Sequence, residues 1–396
     1  MHAAAPASQV STRNFRRVGS KRRSRLGHKS FGFRLSAVPL EQSDLRNLAV
    51  GIEQGQERAF ALPACDRLTR SSKALLGRLV APQIVVVGSY ATGLTMKVDR
   101  LPHSGETLLG TGYRVDFGGK GSNQAVGCTR LGAQTVFVAK VGTDSFGESA
   151  LRLYRDEQID TRHVLRTSNA PTGVGFIIVE AGSGHNCITI DPGANELLTP
   201  DEVAQALKTN HEAAVVITQL ETSSAVAEAA MSAGRKNGAI TILNPAPVRS
   251  LSADLLQKID ILTPNESEAK VLAGIAPSES IDATQVAAQL VGMGVKQVVM
   301  TLGERGALLV NRDETTHFPG IRVAAVDTTG AGDAFNAGLA VALASGASMG
   351  NAIRFAVVTG ALAVTKEGVI PSLPHTSDVI DFYAKHALDT PEWISH

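Results

Sequence analysis

Residues 84–87, Ile-Val-Val-Val, carry no polar side chain, and nearly continuous apolar runs return at 214–220, 239–243, 259–262 and 297–301. Successive side chains of a strand point to opposite faces, so a strand apolar at every position must be covered on both. That rules out a one-sided antiparallel sheet for most of the chain. Between the runs lie segments with helical spacing at 122–132, 146–158, 224–236, 266–273 and 283–292, and a further strand-like run at 135–140. Strands alternating with helices predict an α/β fold of three layers, α/β/α, around a mostly parallel central sheet. Two regions break the rule. Residues 94–98 with 107–115, and 173–179 with 187–191, are strand-like pairs with no helix between members. They predict a small antiparallel sheet over one edge, either a lid that excludes water or a plain pair of structural hairpins.

The chain has 396 residues, 43% of them hydrophobic, enough for a large core. Three widely spaced cysteines (Cys65, Cys128, Cys187) fit neither a disulfide framework nor a metal site and point to a reducing compartment, the cytoplasm. No run of 18 apolar residues is present to span a membrane. The net charge of +1 conceals an asymmetry: residues 1–80 carry +10 and the remainder −9. Residues 1–40 hold nine basic side chains and no acidic one, which predicts a disordered extension over 1–80 and a folded domain over 81–396. Three readings of this arm stay open: a passive extension, an organellar transit peptide, or a tract that binds nucleic acid. The acidic body argues against nucleic acid as a partner.

Three motifs carry chemistry. Residues 327–333, Asp-Thr-Thr-Gly-Ala-Gly-Asp, precede a helical pattern through Phe335, Leu339, Ala342 and Leu343. Gly330, Ala331 and Gly332 leave a row of N–H groups bare at a helix start, which favours a bound anion. Asp333 at its lip either removes a proton from a substrate hydroxyl or merely caps the helix. Residues 118–124, Gly-Gly-Lys-Gly-Ser-Asn-Gln, allow close backbone approach to a ligand and supply Lys120 and Asn123, yet lack the Walker A spacing. Residues 262–268, Leu-Thr-Pro-Asn-Glu-Ser-Glu, place Asn265 and Glu268 three apart at a helix start, as a hydrated Mg²⁺ site or as a capping box.

Together these motifs resemble the ribokinase-type sugar kinases of the PfkB carbohydrate kinase family. Gln-Leu-Glu at 219–221 and Asn-Pro-Ala-Pro at 244–247 fall between the two glycine motifs in the family's order, and the resemblance runs from about Val85 to Leu388. It implies a ribokinase-like fold and the transfer of phosphate from ATP to a pentose, D-ribose first. By resemblance, Asp333 is the base, and the N–H groups of Gly330, Ala331 and Gly332 form the hole for phosphoryl charge. Gly118, Gly119, Lys120, Asn123 and Glu221 would hold the sugar. Asn265 and Glu268 would organise Mg²⁺ and phosphates, with Thr301, Gly303 and Gly332 lining ATP. A monovalent cation, K⁺, would rest on Asp327, Thr329, Ala363, Lys366, Gly368 and Ser372. A homodimer through the lid sheets is implied as well. The alternatives are a family kinase for deoxyribose, a nucleoside or another furanose, and a non-catalytic sugar sensor.

One departure touches recognition. Ribokinases show Gly-Ser-x-Asn-x-Asp after the first strand, and here residues 88–93 read Gly-Ser-Tyr-Ala-Thr-Gly. Ala91 and Gly93 therefore stand where an amide and a carboxylate grip sugar hydroxyls, leaving Tyr90, Thr92 and Thr95 as nearby polar groups.

Overall fold

The computed structural model describes residues 81–182, 185–386 and 388–394. The basic arm, with Cys65, lies outside them. In chain order the strands are β1 Gln83–Val87, β2 Ala91–Val98, β3 Thr111–Gly118, β4 Gln134–Gly142, β5 Asp160–Thr167, β6 Val174–Glu180, β7 Asn186–Asp191, β8 Val215–Thr218, β9 Ile240–Leu243, β10 Ile261–Leu262, β11 Gln297–Thr301, β12 Ala307–Asn311 and β13 Thr315–Phe318. Nine of them form one sheet in the order β13-β12-β11-β10-β9-β8-β1-β4-β5. Every pair from β5 to β11 is parallel, and the hairpin β12–β13 closes the far edge antiparallel.

The continuous apolarity of β1 now has its cause. Ile84 and Val86 enter one core, packed with residues of the helices Lys120–Arg130, Ala331–Ala344 and Met349–Ala363. Val85 and Val87 enter the opposite core, with residues of Pro200–Thr209, Ser224–Lys236 and Ala283–Gly292. All four side chains are fully buried. Each is worth roughly 1.5–3 kcal/mol, so a polar residue on either face would be costly.

The chain runs from β1 outward to β4 and β5, then returns to β8 on the other flank of β1 and continues to β13. Strand order reverses at β1, and ligands of open α/β sheets bind outside the carboxyl ends at such a reversal. Those ends deliver Gly88 and Ser89 after β1, Gln219 to Glu221 after β8, Asn244 after β9, and Thr263 to Asn265 after β10.

The small sheet has the order β3-β2-β6-β7. Its two hairpins are antiparallel as expected, but they join through a parallel pair, β2–β6. The all-antiparallel expectation is corrected here. β2 and β6 each follow a strand of the parallel sheet, β1 and β5, and so leave it in the same direction. β3 also begins at Thr111 rather than 107, since its pairing with β2 ends at Lys97–Thr111. The run 214–220 is shorter as a strand, which frees Gln219 for the loop at its end.

Candidate active site

Two glycines bring the first loop onto the carboxyl end of β1. Gly119 has φ +89°, and a Cβ there would stand 2.7 Å from Tyr90 Cα. A Cβ on Gly121 would stand 2.7 Å from Gly88 Cα. The helix Lys120–Arg130 thus begins in backbone contact with β1. Glu221 fastens it: its Oε2 accepts the Lys120 N–H (2.8 Å) and the Ser89 hydroxyl (2.5 Å).

The helix Ala331–Ala344 starts at Gly330, whose φ of +83° is left-handed, and no side chain caps it. Asp333 is therefore not the cap. It lies one turn in, 5% exposed, and both its oxygens are held from across the site. Asn123 Nδ2 donates to Oδ2 (2.8 Å) and Gln124 Nε2 donates to Oδ1 (3.0 Å). Gln124 is itself fixed, since Nε2 also donates to Asn244 Oδ1 (3.2 Å) and Oε1 accepts Gln219 Nε2 (2.6 Å). Charge-assisted bonds to two fixed amides orient the carboxylate. The Ala331 N–H goes to Thr328 O (3.3 Å) and the Ala334 N–H to Gly330 O (2.9 Å). Between them, the N–H groups of Gly332 and Asp333 meet no acceptor among the described residues. Gly332 is exposed and a Cβ there would touch nothing within 4 Å, so the open space lies on its side. Asn336 Nδ2 donates to Gly332 O (2.8 Å), and its Oδ1 accepts the Thr263 hydroxyl (2.6 Å).

Lys120 draws the charges together. Its ammonium is held above the usual lysine value chiefly by the charge of Asp333, with burial opposing and Glu221 and Glu268 adding to it. Glu268 is pushed up, chiefly by burial; the Asn265 N–H and Lys120 pull it down, and Asp333 pushes it further up. Asn265 and Glu268 do form the reciprocal cap: Asn265 Oδ1 accepts the Glu268 N–H (2.8 Å), and Glu268 Oε2 accepts the Asn265 N–H (2.9 Å). The same Glu268 still feels Lys120 and Asp333, so capping does not remove it from the cleft. Among the described residues no group of three or more His, Cys, Asp or Glu is set to hold a metal ion. A divalent ion would thus rest on one or two carboxylates plus phosphate oxygens, which is how Mg²⁺ is commonly held.

Thr301 ends β11 beside Asn265, and Gly303 follows at φ +60° with open space where a Cβ would be. Asp327 Oδ1 accepts the Thr329 N–H (2.9 Å) and Oδ2 the Gly368 N–H (3.1 Å). Burial opposes ionisation of Asp327, yet these N–H groups hold its carboxyl below the usual range. Val364 O accepts the Val326 and Asp327 N–H groups, which brings this loop to the end of the helix Met349–Ala363. The Lys366 ammonium is 3.7 Å from Asp378, while Gly368 begins and Ser372 ends the short helix Val369–Ser372.

Sequence reasoning assigned no part to Gln124, Gln219, Asn244 or Ser89, although they fix Asp333 and Glu221. The available signal was two consecutive amides, Asn123 and Gln124, in the buried stretch of a helix whose neighbours there are mostly small.

The pfkB family carbohydrate kinase pattern matches residues 81–376, three quarters of the chain and all the elements just described. The chain belongs to the PfkB family of carbohydrate kinases. Within the family it is 38% identical to a ribokinase of Haemophilus influenzae over 299 residues, 76% of this chain and 97% of that protein. It is 36% identical to a deoxyribokinase of Salmonella typhi over 293 residues, 74% of this chain and 95% of that one. The structure of Arabidopsis thaliana ribokinase complexed with ribose and ATP superposes with a TM-score of 0.71 at 33% identity, covering 76% of this chain and 98% of that one. The fold is accordingly the ribokinase-like α/β fold with its second, smaller sheet. No helix of the described residues is long and apolar enough to cross a membrane.

Proposed function

We propose that the chain transfers the γ-phosphoryl group of ATP to the 5-hydroxyl of D-ribose. The observation that carries this reading is Asp333, held by Asn123 and Gln124 beside the free N–H groups at the helix start. In the proposed step the sugar oxygen attacks the γ-phosphorus, its proton passes to Asp333, and the bond to the β-phosphate oxygen breaks to release ADP. The N–H groups of Gly332 and Asp333, with Gly330 and Ala331 shaping the turn, stabilise charge on the transferring group. Gly118, Gly119, Lys120, Asn123 and Glu221 hold the sugar, and Thr301 and Gly303 border the nucleotide. Asn265 and Glu268 would orient Mg²⁺, which neutralises phosphate charge when bound. Asp327, with Thr329, Ala363, Lys366, Gly368 and Ser372, would hold K⁺, Lys366 through its backbone oxygen while its ammonium lies 3.7 Å from Asp378.

A homodimer through the small sheet is part of this reading. Val115 pairs with Leu94 and Leu94 with Phe176, so these side chains share one face with Tyr113 and Phe117. Tyr113, Val115 and Phe176 are at least half exposed, an apolar face suited to a second copy. The proposed compartment is the cytoplasm.

ADP release by the full chain over a panel of D-ribose, 2-deoxy-D-ribose, a nucleoside and D-fructose tests the function. D-ribose is expected to give the highest kcat/KM. A higher value for deoxyribose would move the assignment to that sugar, which the Salmonella relative also favours. Absence of any sugar-dependent release would defeat the enzyme reading.

A further inference from the structure

The two polar groups lost from β2 leave a gap whose neighbours are now known. Ala91, Gly93 and Thr95 alternate along β2 and so share one face. Opposite them on β3 stand Gly118, Asp116 and Arg114, in the pairs Ala91–Gly118, Gly93–Asp116 and Thr95–Arg114. This face looks toward the site: Arg114 Nη1 reaches Glu367 Oε1 (2.5 Å), next to the Gly368 N–H that binds Asp327. An ideal Cβ on Gly93 would lie 3.8 Å from Asp116 Cβ, ordinary contact distance. A carboxylate missing from position 93 is thus available one strand away, directly across the pair. Arg114 Nε lies 3.4 Å from Asp116 Oδ2, an ion pair that steadies the carboxylate while two fifths of its side chain stays exposed.

We propose that Asp116 supplies the sugar-hydroxyl acceptor that Gly93 cannot, so that recognition has moved from β2 to β3. The proposal rests on the sugar-kinase function argued above. An ionised acceptor for a hydroxyl discriminates strongly, because a substrate lacking that hydroxyl leaves the carboxylate without its partner. The same geometry explains how Gly93 is tolerated: a second carboxylate beside Asp116 would set like charges across one strand pair.

The test exchanges the carboxylate across the pair. Position 93 has room for a side chain, since an added Cβ meets nothing closer than Ile177 Cδ1 at 3.4 Å. With the panel sugar of highest kcat/KM, Asp116→Ala is expected to raise KM at least ~10-fold, as loss of a hydrogen bond to a charged group implies, with kcat within about threefold. Gly93→Asp in the Asp116→Ala background is expected to return KM to within about threefold of wild type, by the same accounting. Equilibrium binding of the sugar without ATP should shift in parallel. A merely structural role would lower the unfolding temperature and would not be rescued from the neighbouring strand. Unchanged KM in Asp116→Ala, or failed rescue with the double variant folded, overturns the inference alone. A wild-type chain that turns over no sugar overturns the function and this inference with it.

Discussion

Replacing Asp333 by Asn separates the chemistry of the carboxylate from its part in holding the fold. Asn keeps one oxygen and turns the other into a donor, so one of the two amide bonds to residue 333 would face donor to donor. Gln124 cannot turn its amide without losing Gln219 and Asn244. Asn123 can, because its Oδ1 is buried with no partner. The variant should therefore present oxygen to Gln124 and NH₂ to a turned Asn123, keeping both bonds as neutral ones. Trading charge-assisted for neutral hydrogen bonds costs about 1 kcal/mol each, or an unfolding temperature lower by roughly 2–8 °C in all. Turnover, by contrast, should fall at least ~100-fold, the low end of what a general base contributes. Asp333→Ala removes the acceptor that Asn123 and Gln124 share, although Gln124 keeps Asn244 and Gln219, and should be the less stable of the two. Paired measurements of ADP release and thermal unfolding decide the matter. Activity within about tenfold of wild type would exclude the general-base role, and unfolding as early as that of Asp333→Ala would refute the amide-turning argument.

Gly121→Ala drives a methyl into the backbone of Gly88 and Ser89. A loss of about 1–3 kcal/mol is expected, read as a lower denaturation midpoint, and wild-type stability would show that the loop has room to yield. Glu268→Gln keeps the reciprocal cap but cannot ionise. Burial raises the folded pKa of Glu268, so its contribution to stability is fullest below the ordinary glutamate value and is lost as pH rises through the raised value. The variant's unfolding temperature relative to wild type should thus climb as pH rises from the ordinary glutamate value through the raised one, whereas a difference independent of pH would contradict the assignment.

The parallel sheet was legible because Ile84 to Val87 feed two cores and so admit no polar residue. The uncapped helix start was legible for a similar reason, since Gly330 to Gly332 offer no capping side chain, but that the Ala331 N–H is taken by Thr328 O was not. Gln124, Gln219 and Asn244 were not, since their meeting at Asp333 joins residues up to 209 positions apart and leaves no local pattern. The parallel β2–β6 pair was hidden likewise, because each hairpin looks complete by itself. Asp116 needed the register of β2 on β3 before it could be set against Gly93. The reciprocal cap at Asn265 and Glu268 was one of the two readings open in the sequence, because its signal spans a single turn.

Only Gly119 separates the last residue of β3 from the first residue of the helix that holds Asp333. The small sheet is also tied to β1 and β5 through the loops before β2 and β6, but only at Gly119 does its link lead straight into the helix tip bearing Asn123 and Gln124. The proposed sugar-binding strand and the amides that aim the proposed base are therefore one continuous stretch of chain, so a displacement of either is felt by the other.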